Sequence, residues 1–500
     1  RKRYAGMDTG GGNTGETKDT LNVAYSQDRG TLNPMYNMGY DILNAIRLCY
    51  DPLWDWDSEG NRIWKLATGM EMEDEGRTWI IHIREGVKFS NGNPLTADDV
   101  VFTIEKAMNR EGEPTYFPEL DLENTKAIDE YTVSVAFHNY DLSYDTSITA
   151  MMIMDKESYD ETAIMTEPIG TGPYVLTDYV VNSHLNFEKK EDYWDGCDGC
   201  QYINFSLFTE DSQKTNGIET GTLDISAVPF QDLDYVQEFE NYEVYIGDTS
   251  QASTRALYFN TEKSELLKTA EARTAVAMAI DREAIADIVY NGYSEVSRAP
   301  SSAGSIDITE DLMDYGVYGT GYDPEGAKEL AEKVGLIGKT LTISTNGTSD
   351  AITTAECIQS DLNAIGINVQ INNYDSGSWL SVAFDTSACG DMLVDFTGTP
   401  SRTVAQDISC WYWYHMGGGF TRSEFENKDR FDELCNGIMA VTDQEELHSR
   451  YVEMVPIQVD AMLWFSLCDM TTAFAYNSNI EGFQIMRMGH PDYANMHWAA

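Results

Sequence analysis

Apolar and polar positions along this chain switch repeatedly between a strand-like and a helix-like period. Ala256, Leu257, Tyr258 and Phe259 form an unbroken apolar run that predicts a buried strand, ended by Asn260 and a polar loop. Helical spacing follows, with Ala275, Ala279 and Ile280 on one face. Asp281 predicts an N-cap, because its carboxylate can accept the free backbone N–H groups of the next turn. Ile285, Ile288 and Val289 then supply an apolar stripe, and Gly292 can adopt the left-handed conformation that stops a helix.

The same alternation runs through the rest of the chain. Leu21 to Ala24 is a short strand leading into a loop in which Gly30 and Pro34 bar continuation. Trp79, Ile81 and Ile83 alternate with Ile80, His82 and Arg84, as in a sheet with one buried face. Thr96 caps a helix with Asp98 and Asp99 in its first turn and Val100, Ile104 and Met108 on one face. Gly170, Gly172 and Pro173 make a tight turn into another strand. Asp323-Pro324 starts a helix whose stripe is Ala327, Leu330, Ala331 and Val334, with Gly335 after it. A strand from Leu341, a helix over 353–364 and a strand over 367–372 alternate as in a parallel α/β sheet. Trp411 to Tyr414 reads as an alternating strand, and a helix beginning QEELHSRYVEMV precedes an apolar strand AMLWFSL.

Composition narrows the class. Five hundred residues suggest two or more domains, and 10 Trp, 29 Tyr and 18 Phe with periodic apolar segments exclude a disordered chain. Eighty-three acidic against 33 basic residues give a net charge of −50, which makes nucleic acid and anionic membrane poor partners. No apolar run approaches the roughly 20 residues of a membrane span. Residues 1–18, Gly- and Thr-rich, read as a flexible tether, as expected of a secreted chain whose signal has been removed. Of the eight cysteines only Cys197 and Cys200 are close, and a local disulfide is the favoured reading over metal binding. No H-E-x-x-H and no G-x-S-x-G occurs, and GTGPY at 170–174 lacks the Lys-Ser/Thr of a phosphate loop. His415 beside Met416 and Cys410 carries too little to assign a metal.

Candidate ligand contacts come from strand-ending loops and aromatic runs. Asn33 and Tyr36 lie in the loop after the first strand, and Val228 follows the strand at LDI. The irregular stretch 390–420 offers Asp395, Thr397, Arg402, Trp411 and Trp413, carboxylates and flat surfaces suited to solute binding.

Four segments carry a resemblance. GNRIWKLATG…WIIHIREGVKFSNGNPLTADDVVFTIEKAM, GTGPY…EDYWDG, the 208–226 segment and FNT…AR…AIDREAI…G resemble, in order, the solute-binding proteins of ABC importers, in their oligopeptide-, dipeptide- and nickel-binding class. The resemblance spans about residues 20–490. It implies an α/β, two-lobed periplasmic-binding-protein-like fold of type II, with an extra inserted subdomain and a ligand cleft between the lobes. Lobe I would comprise 19–50, 166–257 and 481–500, the inserted subdomain 51–165, and lobe II 258–480. It places Trp379 beside the ligand and adds Phe259 from the FNT segment. It further implies a monomer outside the cytoplasm, lipid-anchored or periplasmic, that is not an enzyme, needs no cofactor and hands a small solute to a membrane permease. An oligopeptide or peptide-like solute comes first. An oligosaccharide or other ring-containing solute is the alternative, supported by the aromatic run WYWY and by GTPSRT standing where the class carries its amine-binding aspartate, and a sensory role without transport is a further one.

Overall fold

A computed structural model describes residues 18–36, 41–110, 117–397 and 402–499; most of the expected tether, residues 1–17, lies outside them. Two large sheets organise the chain. The first has seven strands, in the order Tyr242–Ile246, Ala473–Asn477, Ile225–Ala227, Thr20–Tyr25, Tyr202–Leu207, His184–Lys189 and Tyr174–Val180. Thr20–Tyr25 runs parallel to the neighbours on both sides, with Val23 opposite both Phe205 and Ile225. Its alternate residues Leu21, Val23 and Tyr25 are buried, as a sheet covered on one face requires.

The second sheet has six strands, in the order Glu295–Val296, Trp464–Met470, Ser253–Phe259, Met392–Thr397, Thr340–Thr345 and Asn368–Asn373. Its central strand, Ser253–Phe259, is buried at every position after the first, which is why its sequence shows no alternation. Leu341, Ile343, Met392, Leu393 and Val394 share its core with the helices Arg282–Tyr290 and Ser349–Ala364. Between the first sheet's segments a four-stranded antiparallel sheet is inserted, ordered Ala67–Glu73, Thr78–Ile83, Thr132–Ala136, Lys126–Asp129. Trp79, Ile81 and Ile83 point inward from it, against Val100 and Ile104 of helix Ala97–Met108.

The predicted helix signals operate as hydrogen bonds. Asp281 Oδ1 accepts from Ala284 N–H at 3.0 Å, and Asp323 Oδ1 from Gly326 N–H at 2.9 Å. Thr96 N–H donates to Asp99 Oδ2 at 2.8 Å, closing a capping box. Gly292 takes φ +74°. Gly170 and Gly172 act through close approach instead. A Cβ on Gly172 would lie 2.5 Å from Leu48 O, because residues 172–174 bond directly to the backbone at Leu48 and Cys49.

Three expectations are corrected. Residues 410–414 form a π-helical turn rather than a strand, so Trp411 and Tyr412 are both buried and Trp413 is exposed. Ile288 is 58% exposed, because the buried face of its helix is set by Ile285, Ala286 and Val289. Cys197 and Cys200 are free thiols. The Cys197 thiol lies 3.0 Å from Ala494 O, and the backbone N–H of Cys200 bonds to Met496 O, so each is tied to the chain's C-terminal segment rather than to the other.

Candidate functional site between the two sheets

Parallel strands put their connecting loops at one edge, and in open α/β sheets ligands lie beyond the carboxyl ends of the strands. In the first sheet that edge carries Tyr25, Leu207 and Ala227; in the second it carries Thr345, Asn373 and Thr397. Two short connectors, 247–252 and 471–472, join the sheets. Ile246 and Ala473 are paired at the first edge, and Ser253 and Met470 at the second. The connectors bond to each other, Gly247 N–H to Thr472 O at 2.9 Å. The carboxyl ends of both sheets therefore face each other across a two-stranded hinge.

On the first side, the loop after Tyr25 is fixed from within. Asp41 accepts the Ser26 N–H, and Asn33 Oδ1 accepts Met35 N–H at 3.0 Å, which holds the short turn Pro34–Tyr36. Asn33 and Tyr36 line a cavity of about 430 Å³ with Lys106, Arg110, Tyr159 and Glu161. Arg110 donates to Met35 O at 2.9 Å. Its charge sits just beyond the C-terminus of helix Ala97–Met108, where the helix dipole favours a cation. Lys106 lies 4.5 Å from the Tyr159 ring centroid and 3.2 Å from Glu161. Val228 is buried among Ile218, Leu223 and Leu233, and its N–H bonds to Ala473 O at 3.0 Å, so it serves the fold there.

On the second side, Trp379 lies on helix Ser376–Ala383, and its indole N–H donates to Asp395 Oδ2 at 3.2 Å. Asp395 is half-buried on the strand beside Ala256. Arg402 is half-buried against Cys410 and Asp407. Arg255 pairs with Asp350, and its Nε donates to the Tyr290 hydroxyl at 3.2 Å. Burial works against the Arg255 charge, and Tyr290 and Asp350 outweigh it, so its pKa is raised. Burial pushes the Tyr290 phenol up to about 12. Asp350 keeps 33% side-chain exposure, so this pair presents a carboxylate outward from a buried cation. Arg255 is not among the candidates read from the sequence, and the signal that could have found it is a charged residue inside the apolar run TRALYF.

The remaining candidates separate by location. Phe259 is fully buried at the opposite end of its strand, facing Met392, and packs in the core. Trp411 is fully buried in a T-shaped pair with Trp464, ring centroids 5.2 Å apart. Trp413 is 42% exposed. The side chains of Thr397 and His415 lie outside the described residues. Among the described residues no group of His, Cys, Asp and Glu is placed to hold a metal ion, and no helix is long and apolar enough to cross a membrane.

Direct contacts also join the two sides. Phe230 meets Tyr290 edge-on at 5.9 Å, and Asp234 accepts from Tyr293 and Asn291 at 2.7 and 3.0 Å. From the inserted subdomain, Leu142 N–H donates to Met439 O at 2.8 Å.

The fold and sequence are similar to those of known proteins. The chain is 26% identical over 388 residues to a di/tripeptide-binding protein of Pseudomonas aeruginosa, covering 70% of each. Its structure is similar to that of NikA from Brucella suis in complex with Fe(III)-EDTA, with a TM-score of 0.84 at 19% identity over 96% of this chain and 100% of that one. It is also similar to the oligopeptide-binding protein AppA of Bacillus subtilis in complex with a nonapeptide, TM-score 0.79 at 20% identity, covering 97% of this chain and 100% of that one. These likenesses establish the two-lobed fold. The family described as "Bacterial extracellular solute-binding proteins, family 5 Middle" matches residues 63–416, which run from the inserted subdomain through five of the second sheet's six strands to the aromatic turn, and the chain belongs to that family.

Proposed function

We propose that this chain is the solute-capturing component of an ABC importer and that its solute is an oligopeptide or peptide-like compound. The observation that carries the reading is the pair of facing strand ends joined by two hydrogen-bonded connectors, a geometry in which closing the lobes buries whatever lies between them. Trp379, Asp395, Thr397 and Arg402 on one side, with Asn33 and Tyr36 on the other, are the residues we assign to the ligand. Phe259, Trp411 and Val228 belong to the packing around it. A peptide suits this surface because carboxylates, a guanidinium and indole and phenol rings together match amines, carboxylates and side chains of mixed polarity.

The saccharide alternative rested on the aromatic run, and the π-helical turn leaves only Trp413 of its described aromatic side chains exposed. The protein acts outside the cytoplasm as a monomer and passes its ligand to a permease, without catalysis of its own. Differential affinity for the closed arrangement drives that step. Native mass spectrometry of the purified protein, followed by calorimetric titration with a di-, tri- and nonapeptide series, tests the ligand. Retained peptide masses and saturable peptide binding are expected. Binding of oligosaccharides with no response to any peptide overturns the reading.

A further inference from the structure

Loop 301–305 lies against the hinge. Gly304 is in backbone contact with Ala252, where a Cβ would sit 2.4 Å from the carbonyl oxygen, and Ser302 Oγ donates to that oxygen at 3.0 Å. Two carboxylates from different elements hold the loop there. Asp469, just before connector 471–472, accepts from Ala303 N–H at 3.4 Å and from the Thr254 hydroxyl, just after connector 247–252. Asp407, on helix Val404–Ser409, accepts from Ser302 N–H at 3.3 Å and Ser305 Oγ at 2.8 Å.

Both carboxylates are buried, Asp407 at 0% and Asp469 at 5% exposure. Asp407 Oδ1 and Ser301 Oγ have no hydrogen-bond partner among the described residues. A cavity of about 160 Å³ borders the clamp, lined by Thr249, Ser301, Ala303 and Asp469 among others. An ionised carboxylate so poorly satisfied is costly, and space beside it gives water a place to enter when the loop lifts.

The charged surroundings do not cancel that cost. Asp407 is faced by Arg402, which favours its ionised form, and by Asp307, Tyr258 and Cys410. Asp469 is faced by Glu295, Arg282, Tyr318 and Cys468, with Arg298 and Glu310 at the cavity rim. Burial pushes both carboxyls up to about 6.

We propose that loop 301–305 is a proton-responsive hinge clamp: protonated Asp407 and Asp469 hold it dry against the two connectors, and their ionisation lets it lift and hydrate, freeing the hinge. The sign follows from linkage, since the arrangement that binds protons more tightly is the one populated at lower pH. Lobe closure is absorbed by backbone rotation in the connectors, so a seated loop stiffens it and a lifted loop relaxes it.

The experiment is hydrogen–deuterium exchange on the ligand-free protein at about pH 5 and about pH 7.5, with labelling times scaled for intrinsic amide chemistry. Peptides covering 299–306 are expected to be about tenfold more protected at the lower pH, a difference set by the two carboxyl titrations. Asp407→Asn with Asp469→Asn should be protected at both values, because Asn carries no titrating charge. Asp429→Asn, exposed on helix Lys428–Cys435, should keep the wild-type response. Equal protection at both pH values in the wild type, greater protection at the higher one, or an unchanged response in the double variant overturns the proposal. Each single variant, expected to halve the response, decides the matter if the double variant does not fold. No ligand is used, so failure here is separate from failure of the peptide reading.

Discussion

The indole N–H of Trp379 donates to Asp395 Oδ2 at 3.2 Å, linking a helix to the neighbouring strand at the carboxyl edge of the second sheet. The tryptophan is only 7% exposed, so it offers a ligand a small surface while its indole N–H holds the carboxylate in place. Trp379→Phe keeps the packing and removes the donor. It should weaken tripeptide binding severalfold in calorimetry while lowering stability by about 1 kcal/mol, the typical net value of one hydrogen bond. Trp379→Ala should cost about 3–5 kcal/mol of stability as well. Unchanged binding in Trp379→Phe would remove the pair from the site.

Asp281→Ala deletes the carboxylate that accepts from Ala284 N–H. The expected loss is about 1 kcal/mol, read from the midpoint of denaturant unfolding at unchanged slope. An effect below about 0.3 kcal/mol would mean that solvent caps the helix equally well.

Gly172→Ala forces a Cβ to within 2.5 Å of Leu48 O and of the Cys49 carbonyl carbon. Backbone must move, and about 1–3 kcal/mol of destabilisation is expected. Gly69→Ala is the control, with nothing within 4 Å of the added methyl, and should stay within about 0.5 kcal/mol of wild type. Equal effects at the two sites would show that backbone entropy, rather than contact, governs both.

Stability should respond to pH with opposite signs at different carboxylates. For Asp55, burial raises the pKa, but Arg47 and His490 outweigh it and hold the group at about 2, below its ordinary 3.8. Its stabilisation is complete above about pH 4 and lost as the pH falls through about 2. Asp407, raised to about 6, does the reverse. Its contribution is complete below about pH 4 and is lost as the pH rises through about 6. Asp407→Asn should therefore raise the melting temperature at about pH 7.5 and leave it nearly unchanged at about pH 4, while Asp55→Asn lowers it at both. A melting temperature for Asp407→Asn that falls at the higher pH would place a needed charge at that position.

All eight cysteines are free. Thiol titration in denaturant without reductant should give eight equivalents, and under native conditions half-buried Cys197 should react before buried Cys200. Six equivalents would restore the local disulfide.

Wherever structure is decided between near neighbours in sequence, this chain announces it. The caps at Asp281 and Asp323, the alternation of Trp79, Ile81 and Ile83, and the left-handed Gly292 are local, because a side chain meets a backbone group only a few residues away. Resemblance in wording carried the two-lobed fold further than any of these signals. The alternating aromatic pattern at 411–414 fits a strand as well as a wide helical turn, and packing against Trp464 and Phe431 decides between them. Ile288 followed the stripe but lies outside the arc that meets the core. Asn33 and Tyr36 were legible as residues of a strand-ending loop, whereas their meeting with Arg110 and Tyr159 depends on how the inserted subdomain docks. Asp407 and Asp469 lie more than 60 positions apart and reach the same loop only because the second sheet folds its last strand beside its first. Sequence periodicity fixes which face of each element is apolar; which elements meet, and so which polar groups are buried together at the hinge and the cleft, is set by the long-range packing of the two sheets.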